Sequence, residues 1–161
     1  MSNLIVLAGM PGCGKSTWAK EMFDLKYTII CPDNMRERLY GSVAAAHKPD
    51  VIAKANTRVW KQTHWELEEG LAHNICCVVD ATNLWRPGRL KLLEIGWTNK
   101  ARCHLVLFKN IVDAIDRNLT RNDEKRVPTA DMERMSESYY DTLSEIEAES
   151  WDSILQIESY R

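Results

Sequence analysis

A glycine-rich segment near the start of the sequence has the residue types and spacing that bind nucleotide phosphates. It reads Gly9-Met10-Pro11-Gly12-Cys13-Gly14-Lys15-Ser16-Thr17 and fits the pattern G-x-x-x-x-G-K-[ST]; we call it the phosphate loop. Glycines let the backbone curve around a phosphate with its N–H groups pointing inward. A lysine here can reach the β- and γ-phosphates, and the following hydroxyl can ligate Mg²⁺. The predicted residues for binding ATP are Gly9, Pro11, Gly12, Cys13, Gly14, Lys15, Ser16 and Thr17, with Ser16 also a predicted Mg²⁺ ligand.

A carboxylate and an arginine follow the second apolar run of the sequence. They are Asp33 and Arg36, whose separation of three residues places both on one face of a helix. A carboxylate in this position can accept the proton of an attacking hydroxyl, so Asp33 is a candidate general base and Arg36 a candidate substrate contact. The alternative is an aspartate that caps the helix beside a surface arginine, and capping is compatible with catalysis.

A second polar cluster, Asp80-Ala81-Thr82-Asn83, follows the third apolar run. Asp80 stands where a carboxylate would hold Mg²⁺ directly or through water. Asp80, Thr82 and Asn83 are also candidate contacts to an acceptor molecule. The alternative is that Thr82 and Asn83 form a turn stabilised by the asparagine side chain.

The polar segment 117–128, which we call the lid segment, contains two arginines four residues apart. The spacing predicts that Arg117 and Arg121 share one face of a helix. Such a segment suits a lid that closes on ATP and neutralises charge that develops on the transferred phosphoryl group. A solvated helix end, where cations are favourable, is the alternative.

Apolar strands that alternate with helices are predicted to position these clusters. The predicted strands lie at 4–8, 27–31, 75–79, 105–108 and, as a candidate edge strand, 154–157. The predicted helices lie at 17–23, 34–40, 50–73 with Asp50 as N-cap, 87–97, 112–121 and 129–149 with Thr129 as N-cap, while 41–49 is a loop. Strands that are apolar throughout indicate a parallel sheet covered on both faces. We therefore predict a single three-layer α/β domain over 1–161, of the P-loop NTPase fold, whose ligand crevice lies at the carboxyl ends of the strands.

Composition and charge narrow the range of functions. Hydrophobic residues make up 45% of the 161 residues and charged residues 27%, which excludes intrinsic disorder. A formal net charge of −2 excludes a protein that coats nucleic acid non-specifically, so any such contact needs a local basic patch. The amino-terminal apolar run is too short for a signal peptide or a membrane span. The five cysteines lack zinc-ligand spacing, and we expect free thiols in the cytoplasm.

In their order along the chain, these clusters resemble the kinase domain of phage and bacterial 5′-hydroxyl polynucleotide kinases. The signatures are the phosphate loop, Asp33-x-x-Arg36, Asp80-Ala81-Thr82-Asn83 and Arg117-Asn118-x-x-Arg121, before Val127-Pro128. The resemblance implies that Asp33 is the general base on the 5′-hydroxyl and that Arg36 contacts the phosphate of the terminal nucleotide. It implies further that Arg121 contacts the transferring phosphoryl group and that Arg117 and Asp80 support the site. The implied substrates are ATP with Mg²⁺ and a 5′-hydroxyl end of DNA or RNA, with phosphatase or ligase partners as separate proteins.

Two other functions remain open from the sequence. The first is a kinase that phosphorylates a small-molecule hydroxyl with the same base and lid, against which only the ordered set of signatures argues. The second is a nucleotide-dependent switch or ATPase that transfers phosphate to water. The sequence lacks a guanine-reading N-K-x-D signature, and Asp33 and Arg36 would have no purpose in such a switch.

Overall fold

Five parallel strands form one sheet in the order β2-β3-β1-β4-β5. The computed structural model describes residues 1–23, 25–123, 125–158 and 160. The strands are β1 (Asn3–Ala8), β2 (Thr28–Ile30), β3 (Cys77–Asp80), β4 (Arg102–Phe108) and β5 (Ser153–Ile157). The central strand β1 lies between β3 and β4, with Val6 opposite Val79 and Leu105. The parallel sheet, with β5 at one edge, is confirmed.

Helices connect the strands and cover the sheet in the three-layer arrangement that the sequence predicts. They are α1 (Lys15–Phe23), α2 (Pro32–Tyr40), α3 (Val43–Ala46), α4 (Ile52–Ala72), α5 (Arg86–Thr98), α6 (Ile111–Leu119) and α7 (Thr129–Glu145), which a 3₁₀ turn (Ile146–Ala148) extends. Among the described residues, none of these helices has both the length and the apolar character needed to cross a bilayer.

Two glycines allow long helices to approach the sheet closely. A Cβ at Gly96 of α5 would lie 2.3 Å from the Cys103 sulfur of β4, and one at Gly70 of α4 would lie 2.7 Å from the Cys77 sulfur of β3. Burial at these contacts raises the pKa of the Cys77 and Cys103 thiols to about 11. Both thiols therefore serve as small apolar groups between helix and sheet.

Several predicted element boundaries are wrong. Val51, and not Asp50, is the N-cap of α4, because a backbone turn in which Val51 and Ile52 donate to the Lys48 carbonyl leads into the helix. The predicted loop 41–49 contains the short helix α3, which the Ser42 side chain caps through the Ala45 N–H.

The two helices that flank the lid segment also differ from prediction. Helix α6 ends at Leu119, because its last turn tightens and the Arg121 N–H donates to the Asn118 carbonyl. Arg117 and Arg121 therefore do not share a helix face, and most of the lid segment is not helical. Thr129 is the first residue of α7 and Pro128 its N-cap, which has no side-chain hydrogen bond. Residue 124 of the lid segment lies outside the described residues.

Candidate active site

The phosphate loop joins the carboxyl end of β1 to the start of α1, as predicted. Gly9, Gly12 and Gly14 adopt φ angles of 151°, 88° and 95°, which glycine accepts at little cost. A Cβ at Gly12 would lie 2.8 Å from the Ala114 carbonyl oxygen of α6. Glycine is thus required here for both backbone conformation and space, and the loop keeps the open curve that a phosphate needs.

Lys15 closes the phosphate loop from the inside. Its Nζ donates to the carbonyl oxygens of Gly9 at 2.9 Å and Met10 at 2.8 Å, and the side chain is buried. These bonds satisfy the ammonium group within the loop. A phosphate entering the loop would offer the same group stronger, charge-assisted bonds.

Oxygen-bearing side chains of the kind that Mg²⁺ prefers lie in the phosphate loop and on the neighbouring strand β3. Ser16 and Thr17 are exposed in the first turn of α1. Asp80 ends β3 directly beside Leu7 of β1, and its side chain is largely buried. One hydroxyl and one carboxylate, completed by phosphate oxygens and water, fit Mg²⁺. Ser16 and Asp80 stay the predicted ligands of such an ion.

The candidate base and its arginine form an ion pair at the start of α2. Asp33 lies in the first helical turn, where the helix dipole favours a carboxylate. The Asp33 Oδ1 and Arg36 Nη1 are 2.8 Å apart, with Asp33 60% and Arg36 11% exposed. Asn56 of α4 holds the other side of the guanidinium through a 3.0 Å bond to Nη2. The Arg36 Nε is buried and has no hydrogen-bond partner among the described residues.

Cys31, which directly follows β2, lies within electrostatic reach of the Asp33 and Asp80 carboxylates. Burial raises the pKa of its thiol, and the negative charges of Asp80 and Asp33 raise it further. Both carboxylates are therefore close enough to act on one side chain, as the sheet order β2-β3 requires. A thiol with a raised pKa is a poor nucleophile.

The segment after β3, residues 81–85, which we call the β3 loop, is fixed to the phosphate loop. Asn83 adopts a φ of 45°, is buried, and donates from Nδ2 to the Leu7 carbonyl at 2.7 Å. The Gly9 N–H donates to the Thr82 carbonyl at 2.9 Å. Asn83 thus has a structural role in the turn, and a contact of Thr82 or Asn83 with an acceptor stays a prediction.

An asparagine that sequence reasoning left without a role closes the lid segment at its base. Asn118 is buried, donates from Nδ2 to the Val127 carbonyl at 2.8 Å, and accepts the Val127 N–H at 3.0 Å. Arg117 is half-buried and donates to the Tyr160 carbonyl at 2.6 Å. Arg121 is half-buried in the segment that Asn118 closes, and its guanidinium makes no hydrogen bond or ion pair within the described part of the chain. Only the position of Asn118, between the two arginines of the motif, signalled its importance.

Known proteins share this architecture. A family model described as an AAA domain matches residues 4–142. The chain is similar to a protein of the Pnkp1/Rnl/Hen1 RNA repair complex, with a TM-score of 0.75 and 20% identity over 89% of this chain and 46% of that one. It is also similar to a structure from the PezAT toxin–antitoxin system of Streptococcus pneumoniae, with a TM-score of 0.74 and 16% identity over 98% and 67% of the two chains. A gluconokinase from Sinorhizobium meliloti is similar as well, with a TM-score of 0.62 and 18% identity over 99% of this chain and 83% of that one.

The comparisons show the fold and the family of the chain. At 16–20% identity the solved structures show the fold alone, and the chain spans less than half the length of the RNA repair protein that it matches. The family model, in contrast, covers the phosphate loop, the Asp33–Arg36 pair, the β3 loop and the lid segment. The chain belongs to this family of AAA domains, and its fold is that of a P-loop kinase.

Proposed function

We propose that the protein transfers the γ-phosphate of ATP to the 5′-hydroxyl end of DNA or RNA. The observation that carries the proposal is the Asp33–Arg36 pair, which combines a carboxylate with a guanidinium whose buried Nε has no hydrogen-bond partner among the described residues. A buried donor without a partner costs free energy, and an anion that filled the position would remove this cost. A phosphate next to the reacting hydroxyl, as at the end of a polynucleotide, is such an anion.

The sheet order supports separate positions for two substrates along the carboxyl edge. The phosphate loop and the lid segment follow β1 and β4, whereas Asp33 and the β3 loop follow the neighbouring pair β2 and β3. ATP would therefore lie over β1 and β4, and the acceptor would lie over β2 and β3. This division supports an enzyme with two substrates more than one that transfers phosphate only to water.

The proposed reaction assigns one task to each side chain. Asp33 accepts the proton of the 5′-hydroxyl as its oxygen bonds to the γ-phosphorus, and the bond from that phosphorus to the ADP oxygen breaks. Lys15 leaves the Gly9 and Met10 carbonyls and binds the phosphates of ATP. Arg121 adds positive charge from the lid segment. Ser16 and Asp80 would hold Mg²⁺, which would supply positive charge to offset the negative charge of the phosphates.

Arg36 would serve as the specificity residue for a polynucleotide. Its position is set by Asn56 and Asp33, so the guanidinium is oriented before any acceptor binds. A preorganised planar guanidinium suits a phosphate that it can bind with two parallel N–H groups.

In the RNA repair complex the similar protein is associated with other proteins, which supports the proposal that a separate ligase or phosphatase acts on this protein's product in the cytoplasm.

A kinase for a small-molecule hydroxyl is the second candidate. The chain has the same fold as the Sinorhizobium meliloti gluconokinase, which it matches with a TM-score of 0.62, and this likeness supports the second candidate. A small acceptor would use the same base and lid, but it would lack a nucleotide phosphate for Arg36.

Labelled phosphate transfer tests the proposed function. The protein is incubated with γ-labelled ATP, Mg²⁺ and a 5′-hydroxyl oligonucleotide, and we expect label on the 5′ end of the oligonucleotide. The same oligonucleotide with a 5′-phosphate is the acceptor control, and Lys15→Ala is the donor control. We expect Lys15→Ala to lose at least about a hundredfold in rate, since it removes a transition-state electrostatic contact. Label on metabolites or on inorganic phosphate alone would exclude a polynucleotide kinase.

A further inference from the structure

We propose that Arg89 is a positioning residue for phosphoryl transfer. Its side chain ties the β3 loop to the end of helix α7 that is farther from the lid segment. The expected effect on catalysis rests on the proposed function, whereas the contacts of Arg89 are observed in the structure. Arg89 lies in α5 and is completely buried, and within the described part of the chain none of its hydrogen bonds goes to the phosphate loop or to the Asp33–Arg36 pair. A fully buried arginine is unusual unless all its donors are satisfied.

All five N–H donors of a guanidinium find acceptors at this position. Nε donates to both carboxylate oxygens of Glu149 at 3.1 Å, and Nη2 donates to Glu149 at 2.7 Å and to Glu145 at 2.8 Å. Nη1 donates to the Asn83 carbonyl at 3.1 Å and to the Thr142 hydroxyl at 3.1 Å. The guanidinium therefore bridges two parts of the chain. One is the carboxyl-terminal end of α7 together with the turn that follows it, and the other is the main chain of the β3 loop.

Thr142 strengthens the bridge from the other side. Its hydroxyl lies 3.1 Å from the Leu84 carbonyl and 2.7 Å from the Ser138 carbonyl of its own helix, and the side chain is fully buried. Two successive carbonyls of the β3 loop, those of Asn83 and Leu84, thus face partners on Arg89 and Thr142. We call Arg89, Thr142 and Glu149 the clamp.

Through the β3 loop, the clamp reaches the phosphate loop. The Thr82 carbonyl accepts the Gly9 N–H, and the Asn83 side chain binds the Leu7 carbonyl at the end of β1. In the other direction, α7 begins at Thr129, directly after the pair Asn118–Val127 that closes the lid segment. Thr142 lies about 20 Å along α7 from Thr129, at 1.5 Å per residue. Helix α7 therefore connects the base of the lid segment to the main chain that directly follows Asp80.

This arrangement predicts which step depends on the clamp. Ground-state binding of ATP relies on the phosphate loop, whose own bonds do not involve Arg89. The relative placement of donor, acceptor and lid relies on the β3 loop and α7, and small displacements of reacting groups cost rate more than binding. A loosened clamp should therefore lower kcat while the KM for ATP changes little.

The test compares two buried threonines in helices. Thr142→Val removes the hydroxyl that contacts Leu84 and Arg89, whereas Thr63→Val removes one that donates only to Val59 of its own helix α4. Both positions are fully buried, so the two substitutions are matched in desolvation and shape. The readouts are kcat and the KM for ATP, together with hydrogen exchange at the Gly9 amide, which reports the bond to Thr82.

We expect Thr142→Val to speed Gly9 exchange about tenfold and to lower kcat about tenfold, because a displaced site loses alignment. Thr63→Val should stay within about twofold of the wild type in both the Gly9 exchange rate and kcat. Equal behaviour of the two variants would overturn the proposal, and so would faster exchange with unchanged kcat. If the wild type transfers no phosphate to an oligonucleotide, the proposed function fails, and Gly9 exchange still decides whether the clamp holds the β3 loop.

Discussion

Replacing Asp33 with asparagine separates the catalytic role of this residue from its structural role. Asp33 is 60% exposed, and its pair with Arg36 spans a single helical turn. Exposed pairs of this kind contribute about 0.3–0.5 kcal/mol, and a carboxylate in the first turn of a helix contributes about 0.3–1 kcal/mol. Because the asparagine oxygen can still accept from Arg36, we expect Asp33→Asn to lower the free energy of unfolding by less than about 1 kcal/mol.

The expected effect on the reaction is much larger. An amide cannot take the proton of the attacking hydroxyl, and general-base catalysis contributes about 10²–10⁴ in rate. At 1.36 kcal/mol per factor of ten, this loss raises the activation barrier by about 3–5 kcal/mol. The affinity for ATP should stay close to that of the wild type, since Asp33 follows β2 and the phosphate loop follows β1.

Helix α7 provides the matched control for this substitution. Asp131 lies in its first turn and pairs with Arg134 three residues later, which repeats the local arrangement of Asp33 and Arg36. Asp131→Asn should change denaturant-induced unfolding as little as Asp33→Asn does, and it should leave transfer from γ-labelled ATP to a 5′-hydroxyl oligonucleotide unchanged. A transfer rate for Asp33→Asn within about threefold of the wild type would refute the assignment of Asp33 as the base.

Two further substitutions test the lid segment and the helix–sheet contact. Arg121→Ala should lower kcat more than it raises the Kd for ATP, measured by equilibrium binding, because a lid arginine acts mainly on the transition state. Arg121→Lys should restore little activity because lysine lacks the planar guanidinium, and full activity of this variant would contradict a bidentate contact. Gly96→Ala should lower the free energy of unfolding by about 1–3 kcal/mol, since its Cβ would lie 2.3 Å from the Cys103 sulfur. Adding Cys103→Ala should recover much of that loss in denaturant titrations, and a Gly96→Ala protein as stable as the wild type would show that the contact is not tight.

The sequence predicted the features of the site that depend on local patterns. The phosphate loop, the strand before it and the helix after it follow from residues 4–23, and the parallel sheet follows from apolar runs separated by helices. The positions of Asp33 and Asp80 at one edge of the sheet follow from the geometry of parallel strands. These predictions needed no knowledge of side-chain partners.

Residues whose partners are distant in the sequence could not be predicted in this way. Arg89 is 60 residues from Glu149, and Arg36 is 20 residues from Asn56, so neither contact leaves a periodic or local signal. The end of α6 was predicted two residues too late for a related reason. Asn118 binds Val127 across the lid segment, and a bond of this kind competes with helix extension without appearing in helix propensity.

The most direct measurement of the polynucleotide kinase proposal compares three acceptors: a 5′-hydroxyl oligonucleotide, a nucleoside 3′-monophosphate and a bare nucleoside. Initial rates of transfer from γ-labelled ATP are measured for the wild type, Arg36→Ala and the control Arg38→Ala, whose side chain is exposed and pairs with Glu66. Because Arg36 is proposed to bind the acceptor phosphate, the wild type and Arg38→Ala should use the first two acceptors well and the bare nucleoside poorly. Arg36→Ala should raise the KM for the oligonucleotide and for the nucleoside 3′-monophosphate, and it should change the rate with the bare nucleoside little. Equal use of all three acceptors by the wild type would contradict a polynucleotide substrate.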